Sequence, residues 1–182
     1  FAHHPFLVDE TGKGFSKRLG SLSIENFRDE GYENISLLNY FLFIGSSSNI
    51  DPIKDLNEIV KKFDIQSLSK SSAKFSIESL RNLNENTIKL FSYNEISHKL
   101  KNIKSNFQKE SFWRFIKNNI SFVNQAKEWE EVITKINNAK DLNIDDNFIN
   151  TAVDELPEDP FDETTWDHWT SKINKKTGLK GK

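Results

Sequence analysis

Cysteine and methionine are both absent from the 182 residues of this chain, and glycine and proline number only 7 and 4. Without a thiol there is no disulfide framework, no thiolate metal site and no cysteine nucleophile. The lack of methionine even at position 1 reads as a piece of a longer translated frame. No apolar run approaches the roughly 20 residues that span a bilayer. The opening FAHHPFLVDE has neither the basic stretch nor the apolar core of a secretory leader. A soluble, cytoplasmic protein is the expectation. A dominant charge sign is missing as well: 25 basic side chains face 27 acidic ones, for a net charge of -2. That balance argues against indiscriminate coating of nucleic acid, whose non-specific affinity comes mainly from phosphate neutralisation.

What is present can fill a core. The chain carries 15 Phe and 4 Trp, and its apolar positions recur mostly at helical spacing. Ser23 and Gly31 read as the two caps of a short helix, and Asn34 and Gly45 bound a second that is apolar on most sides and should be core. Leu56, Ile59, Val60 and Phe63 set out a third, and Leu80, Leu83, Ile88 and Leu90 a less regular fourth. Further helices are expected over 94–103, 110–120, 124–136 and 145–156, where Pro157 stops the chain. A last one begins near Asp162, places Trp166, Trp169 and Ile173 on one face and ends at Gly178. Extended signals are confined to 6–8 and 74–75, so the class is mainly α.

The charges are unevenly distributed. Lys13, Lys17 and Arg18 cluster near the start. Lys99, Lys101, Lys104, Lys109, Arg114 and Lys117 form a basic middle, and Lys172, Lys175, Lys176, Lys180 and Lys182 crowd the end. The acidic DELPEDPFDE lies between the last two groups. Separated patches suit oriented docking on a polyanion, and they are equally what solvated helix faces produce. Trp113, Phe115, Trp129, Trp166 and Trp169 have the same double meaning, as stacking platforms for unpaired bases or as core.

The most distinctive stretch is DETGKGFSKRLGS, residues 9–21, a glycine-punctuated loop with two lysines and an arginine within six residues. It is not a phosphate loop of the G-x-x-x-x-G-K-[ST] type, because Gly14 follows Lys13 and Leu7 stands where the first glycine belongs. A flexible cationic loop can still bring ammonium and backbone N–H groups onto a polyphosphate. A metal site built on His3, His4, Asp9 and Glu10 is disfavoured, since adjacent histidines point apart in an extended segment.

The residues around the loop carry a family resemblance. FAHHPFLVDETGKGFSKRLGSLSIENFRDEGY resembles the lysine-serine-lysine signature region of class I aminoacyl-tRNA synthetases, in the form found in bacterial glutamyl-tRNA synthetases. ISLLNYFLFIGSS, SAKFSIESLRNLN, ESFWRFIKNNI and FDETTWDHWTSKINKKTGLKGK look like later landmarks of that family in the expected order, so the resemblance runs the length of the chain. It implies that Gly14, Phe15, Ser16, Lys17 and Arg18 hold the five signature positions and that Lys17 contacts ATP. Gly14 departs from a lysine common in the family, and Ser76 stands where an Asp is usual, as an exchange of one helix cap for another.

The resemblance further implies a mainly α fold beyond a short remnant of a Rossmann-like catalytic domain. Residues 1–22 would be the ATP loop ending that domain, 23–93 a helical stem-contact domain, and 94–182 an all-helical anticodon-binding region cut short at its C-terminal end. No HIGH-type motif occurs in the chain, so the glutamate pocket would lie upstream and the chain alone would be inactive. The complete enzyme would be a monomeric ATP- and Mg²⁺-dependent ligase joining glutamate to tRNA for glutamate, with tRNA for glutamine as a second candidate partner. No metal held by the protein itself is expected in this stretch. Lys99, Lys101, Arg114, Lys117, Lys172, Lys175, Lys176 and Lys180 are the candidate tRNA contacts. The alternatives are a glutaminyl-tRNA synthetase, whose anticodon end is built from β-barrels, and a non-catalytic helical binding module.

Overall fold

Helix caps written into the sequence set the frame of the structure, a computed structural model that describes residues 3–15, 23–104, 109–135, 145–158, 162 and 164–179. Ser23 accepts from the Asn26 amide to start α1 (Ile24–Glu30), and Gly31, at a φ of 98°, ends it in the left-handed conformation. After α2 (Asn34–Phe43) and α3 (Leu56–Lys62), Ser76 accepts from the Ser79 amide and opens α4 (Ile77–Lys89), so the serine does serve as a cap. Then follow α5 (Tyr93–Ile96), α6 (Lys109–Ile116), α7 (Ala126–Lys135), α8 (Asp146–Asp154) and α9 (Thr165–Thr177), closed by Gly178 at a φ of 72°. Two short strands, β1 (Leu7–Val8) and β2 (Ala73–Lys74), pair in parallel with Leu7 opposite Ala73. The chain is mainly α, as its periodicity indicates.

The chain divides into two compact units between Thr134 and Lys135. The first has two principal cores that meet on one helix. Leu80 and Leu83 of α4 pack with Phe27, Tyr32, Leu37, Tyr40 and Phe75. Ile88, one turn further on, packs instead with Ile96, Phe112, Trp113, Ile116 and Val123. Each such fully buried aliphatic contributes roughly 1.5–3 kcal/mol of transfer free energy. Between the two apolar sets, Asn84 and Thr87 are buried as well. In the second unit α8 and α9 pack on each other, and the Trp169 indole N–H donates to the Ala152 carbonyl at 2.8 Å.

Several expectations are corrected. The helix anticipated over 94–103 is only the single turn of α5. Beyond it the amides of Lys99, Leu100 and Ile103 bond to carbonyls three residues back, so the apolar residues at that spacing are buried by tight turns instead. α2 is capped by Glu33 without a side-chain bond, and not by Asn34. It turns Leu38 to solvent while Leu37, Tyr40 and Phe43 pack inward. On α3 only Ile59 is buried. Trp166 is 65% exposed and does not share the inward face of Trp169 and Ile173.

α5 also shows how the chain uses single carboxylates. The Ser92 hydroxyl and amide donate to Glu95 at 2.6 and 2.8 Å, and the Lys54 ammonium reaches both its oxygens at 2.9 and 3.0 Å. Those bonds, the serine hydroxyl foremost, hold the Glu95 carboxyl down to about 2 from an ordinary 4.5. A depressed carboxyl stabilises the fold fully above its unfolded pKa and loses that contribution as pH falls through the folded one. Glu95→Ala should therefore cost about 1 kcal/mol at neutral pH, the usual worth of a helix cap. In urea titrations the gap to the parent chain should narrow as pH drops from 4.5 toward 2; a gap that stays constant or widens would refute the assignment.

Candidate functional site

The cationic loop is rooted in a small hairpin. One oxygen of Asp9 accepts from the Thr11 amide, the Thr11 hydroxyl and the Lys13 amide at 2.8, 2.7 and 2.9 Å. The Asp9 and Gly12 amides bond to the Lys13 and Asp9 carbonyls, and Val8 bridges Gly14 in antiparallel fashion. Gly12 sits at a φ of 86°, a conformation that the turn demands and that side chains resist. These bonds hold the Asp9 carboxyl below its usual range, the Thr11 hydroxyl foremost. Asp9 is thereby committed to the turn. Among the described residues there is no group of three or more His, Asp or Glu that could hold a metal ion.

The root is tied to the helical body on two sides. The Ala73 and Phe75 amides donate to the carbonyls of Phe6 and Val8. Phe15, expected from the resemblance to hold the second signature position, meets Phe75 edge to face with ring centroids 5.7 Å apart. Phe6, Leu7, Phe15, Phe27, Phe41 and Phe75 line an apolar cavity of 320 Å³ beside it. Gly14 is in contact here too, since a Cβ on it would meet the Phe6 ring at 2.9 Å. Ser16, Lys17, Arg18 and Lys180 lie outside the described residues.

The remaining candidate cations fall into distinct situations. The Lys99 ammonium lies 2.6 and 2.7 Å from the two oxygens of Glu33, whose side chain is buried. Lys117 donates to the Lys89 carbonyl at 2.9 Å. Lys172 and Lys176 converge on Glu155, the former at 3.8 Å. The hydrogen bond from Lys176 holds the Glu155 carboxyl below its usual range, and the same bond raises the lysine. Lys101, Arg114 and Lys175 are exposed and have no ion-pair partner among the described residues. Of the aromatic candidates, Trp113 is core and donates its indole N–H to Phe91. Phe115 is 56% exposed, stacked edge-on against Trp129 at 5.8 Å.

Sequence reasoning passed over the polar seam inside the first unit. Asn84 accepts from the Glu33 amide at 2.9 Å and donates to the Ser121 carbonyl at 2.7 Å. The Ser121 hydroxyl donates to Glu85 and accepts from Arg81, whose guanidinium also lies 5.5 Å from the centre of the Phe122 ring. Asn124 donates to the Glu30 carbonyl, and a Cβ on Gly31 would meet its side chain at 3.0 Å. The available signal was an asparagine, a poor helix former, on the apolar face of RNLNEN between Leu83 and Ile88.

Comparison with known proteins gives one consistent likeness. No family model matches the chain. Over its full length it is 33% identical to a glutamate–tRNA ligase of Beijerinckia indica, 35% to one of Rickettsia bellii and 36% to one of a Chelativorans species. It spans 40 to 41% of the length of these relatives. The fold aligns over 99% of the chain with a glutamate–tRNA ligase crystal structure from Elizabethkingia meningosepticum, at a TM-score of 0.64 and 18% identity, covering 43% of that chain. A second, from Elizabethkingia anophelis, gives 0.62 at 20% identity and 42% coverage.

The different surroundings of Lys99 and Lys101 predict different mutational costs. Lys99→Ala strands a buried carboxylate and should lower stability by about 2 kcal/mol, less than for a fully buried pair because the ammonium remains partly hydrated. Lys101→Ala should change stability by no more than about 0.5 kcal/mol. Equal effects of the two in urea unfolding would deny the Glu33 pair a structural role.

Proposed function

We propose that this chain, homologous over its whole length to the glutamate–tRNA ligases, is the part of such an enzyme that carries the ATP loop and docks the tRNA. The carrying observation is the 33 to 35% identity to these ligases along the whole of this chain, together with residues that resemble the signature in its expected order. The complete enzyme would activate glutamate with ATP and Mg²⁺ as an adenylate and transfer it to tRNA for glutamate in the cytoplasm. The chain is the C-terminal portion in this reading, inactive without the upstream HIGH-type motif and glutamate pocket. Residues 23–93 would face the acceptor stem, and 94–182 would approach the anticodon. No helix among the described residues is long and apolar enough to cross a membrane.

Within the proposed chemistry the residues have separable tasks. Lys17 would place a fixed cation where negative charge grows on the departing pyrophosphate, which lowers the barrier more than it strengthens ground-state binding. The hairpin fits that task in one respect: Asp9 accepts from the Thr11 amide and hydroxyl and the Lys13 amide, so its side chain serves the turn from which the loop leaves. Lys101, Arg114 and Lys175, lacking internal ion partners, are the strongest candidates for phosphate contact. The other named lysines would contact RNA only while also serving intramolecular bonds.

Two measurements test the reading. In the complete ligase, Lys17→Ala should slow adenylate formation by at least about a hundredfold, as loss of a transition-state charge contact does, with tRNA affinity nearly unchanged. An unchanged rate removes Lys17 from this role. Titrated by tryptophan fluorescence at two salt concentrations, the chain should prefer tRNA for glutamate, alone or with tRNA for glutamine, over an unrelated tRNA. Equal binding that vanishes with salt would reduce docking to phosphate attraction.

A further inference from the structure

Three observations converge on the middle of α4. The helix feeds two different cores, Leu80 and Leu83 one and Ile88 the other. At the changeover stands Asn84, fully buried, whose carboxamide oxygen is held from its own side by the Glu33 amide while its NH2 donates across the seam to the Ser121 carbonyl. Further bonds join residues before Ser92 to residues after it: Glu33 to Lys99, Glu85 and Arg81 to Ser121, Glu30 to Asn124, and Lys54 to Glu95. With its oxygen pinned by the Glu33 amide, the carboxamide can donate to Ser121 in one register only, because a slip leaves the buried NH2 and the Ser121 carbonyl unpaired. Apolar contacts alone would tolerate small rotations of one core against the other.

We infer that Asn84 is a positioning residue for tRNA docking: it fixes α5 to α7 against α1 to α4, and so sets the spacing between two surfaces that engage the same RNA molecule. The inference rests on the tRNA-docking function proposed above. It assigns Asn84 no contact with RNA, ATP or glutamate. The spacing matters because a rigid two-point grip gains its second contact at high effective concentration, and a loose grip forfeits that gain. Asn84 thus acts on tRNA binding and not on the chemical step.

The test uses the complete ligase that carries this chain, with Asn84→Asp, Asn84→Leu and Asn124→Ala. Asn84→Asp keeps an acceptor for the Glu33 amide and loses the donor to Ser121; Asn124→Ala loosens the exposed rim of the same seam and carries the test if the Asn84 variants do not fold. Spin labels on Lys61→Cys and Glu128→Cys, exposed positions on α3 and α7 in a stretch that has no cysteine of its own, report the spacing by pulsed EPR. The expected result is a broader distance distribution and a KM for tRNA raised about tenfold, with KM for ATP and kcat within about twofold. Asn124→Ala should move the same quantities less. An unchanged distribution overturns the inference, as does a broadened one with unchanged KM for tRNA, or a parallel rise in KM for ATP. If the parent enzyme charges no tRNA, the proposed function itself falls and the docking role with it, whereas charging that is insensitive to all three variants removes only the role of Asn84.

Discussion

The geometry of the first unit depends on one buried carboxamide. Asn84 lies where α4 passes from one apolar core to the next, and its two bonds reach the start of α2 and the segment before α7. A leucine there would bury more apolar area and leave the Glu33 amide and Ser121 carbonyl without partners. The net contribution of the paired asparagine to stability is modest; the cost of misplacing it is large. That asymmetry makes a buried polar group a selector of register. The Glu33–Lys99 pair and the Arg81–Ser121–Glu85 cluster flank the same seam, so the selection does not rest on a single bond.

The loop root is built on the opposite logic, from contacts close in sequence. Asp9, Thr11, Gly12 and Lys13 close a hairpin among themselves, and β2, Phe75 and the packing of Leu7 on the helical core attach it to the helices. A local turn can form whatever the rest of the chain does, which suits the loop role proposed for this segment. Its attachment through two ladder bonds and one aromatic edge still links it directly to the body that carries the proposed RNA surfaces.

How far the sequence was legible follows the same division between local and distant contacts. Ser23, Gly31 and Gly178 could be named as caps because a cap's chemistry is local and visible in the string, and Ser76 was named through the resemblance. The hairpin was visible as a glycine-punctuated turn, although the commitment of Asp9 to it was not. By contrast, Glu33 and Lys99 are 66 positions apart, and Asn84 and Ser121 are 37. Periodicity says nothing of such partners. It also overextended α5, because apolar residues three apart serve a tight turn as well as a helix, and it placed Trp166 inward on spacing that one neighbouring helix could not cover.

The cations show why charge clusters in a sequence overstate a binding surface. Lys99, Lys101, Arg114 and Lys117 read as one basic group, yet Lys99 neutralises a buried carboxylate and Lys117 binds a backbone carbonyl. Near the end, Lys172 and Lys176 share Glu155. An ammonium already paired must exchange that partner for a phosphate, and the exchange gains little free energy, whereas an unpaired one releases only water and counterions. In the proposed function the strongest RNA contacts therefore fall to the few cations left without an ion-pair partner among the described residues. The paired ones shape the surface on which those few stand, and the slightly negative net charge then favours placement of cations over their number.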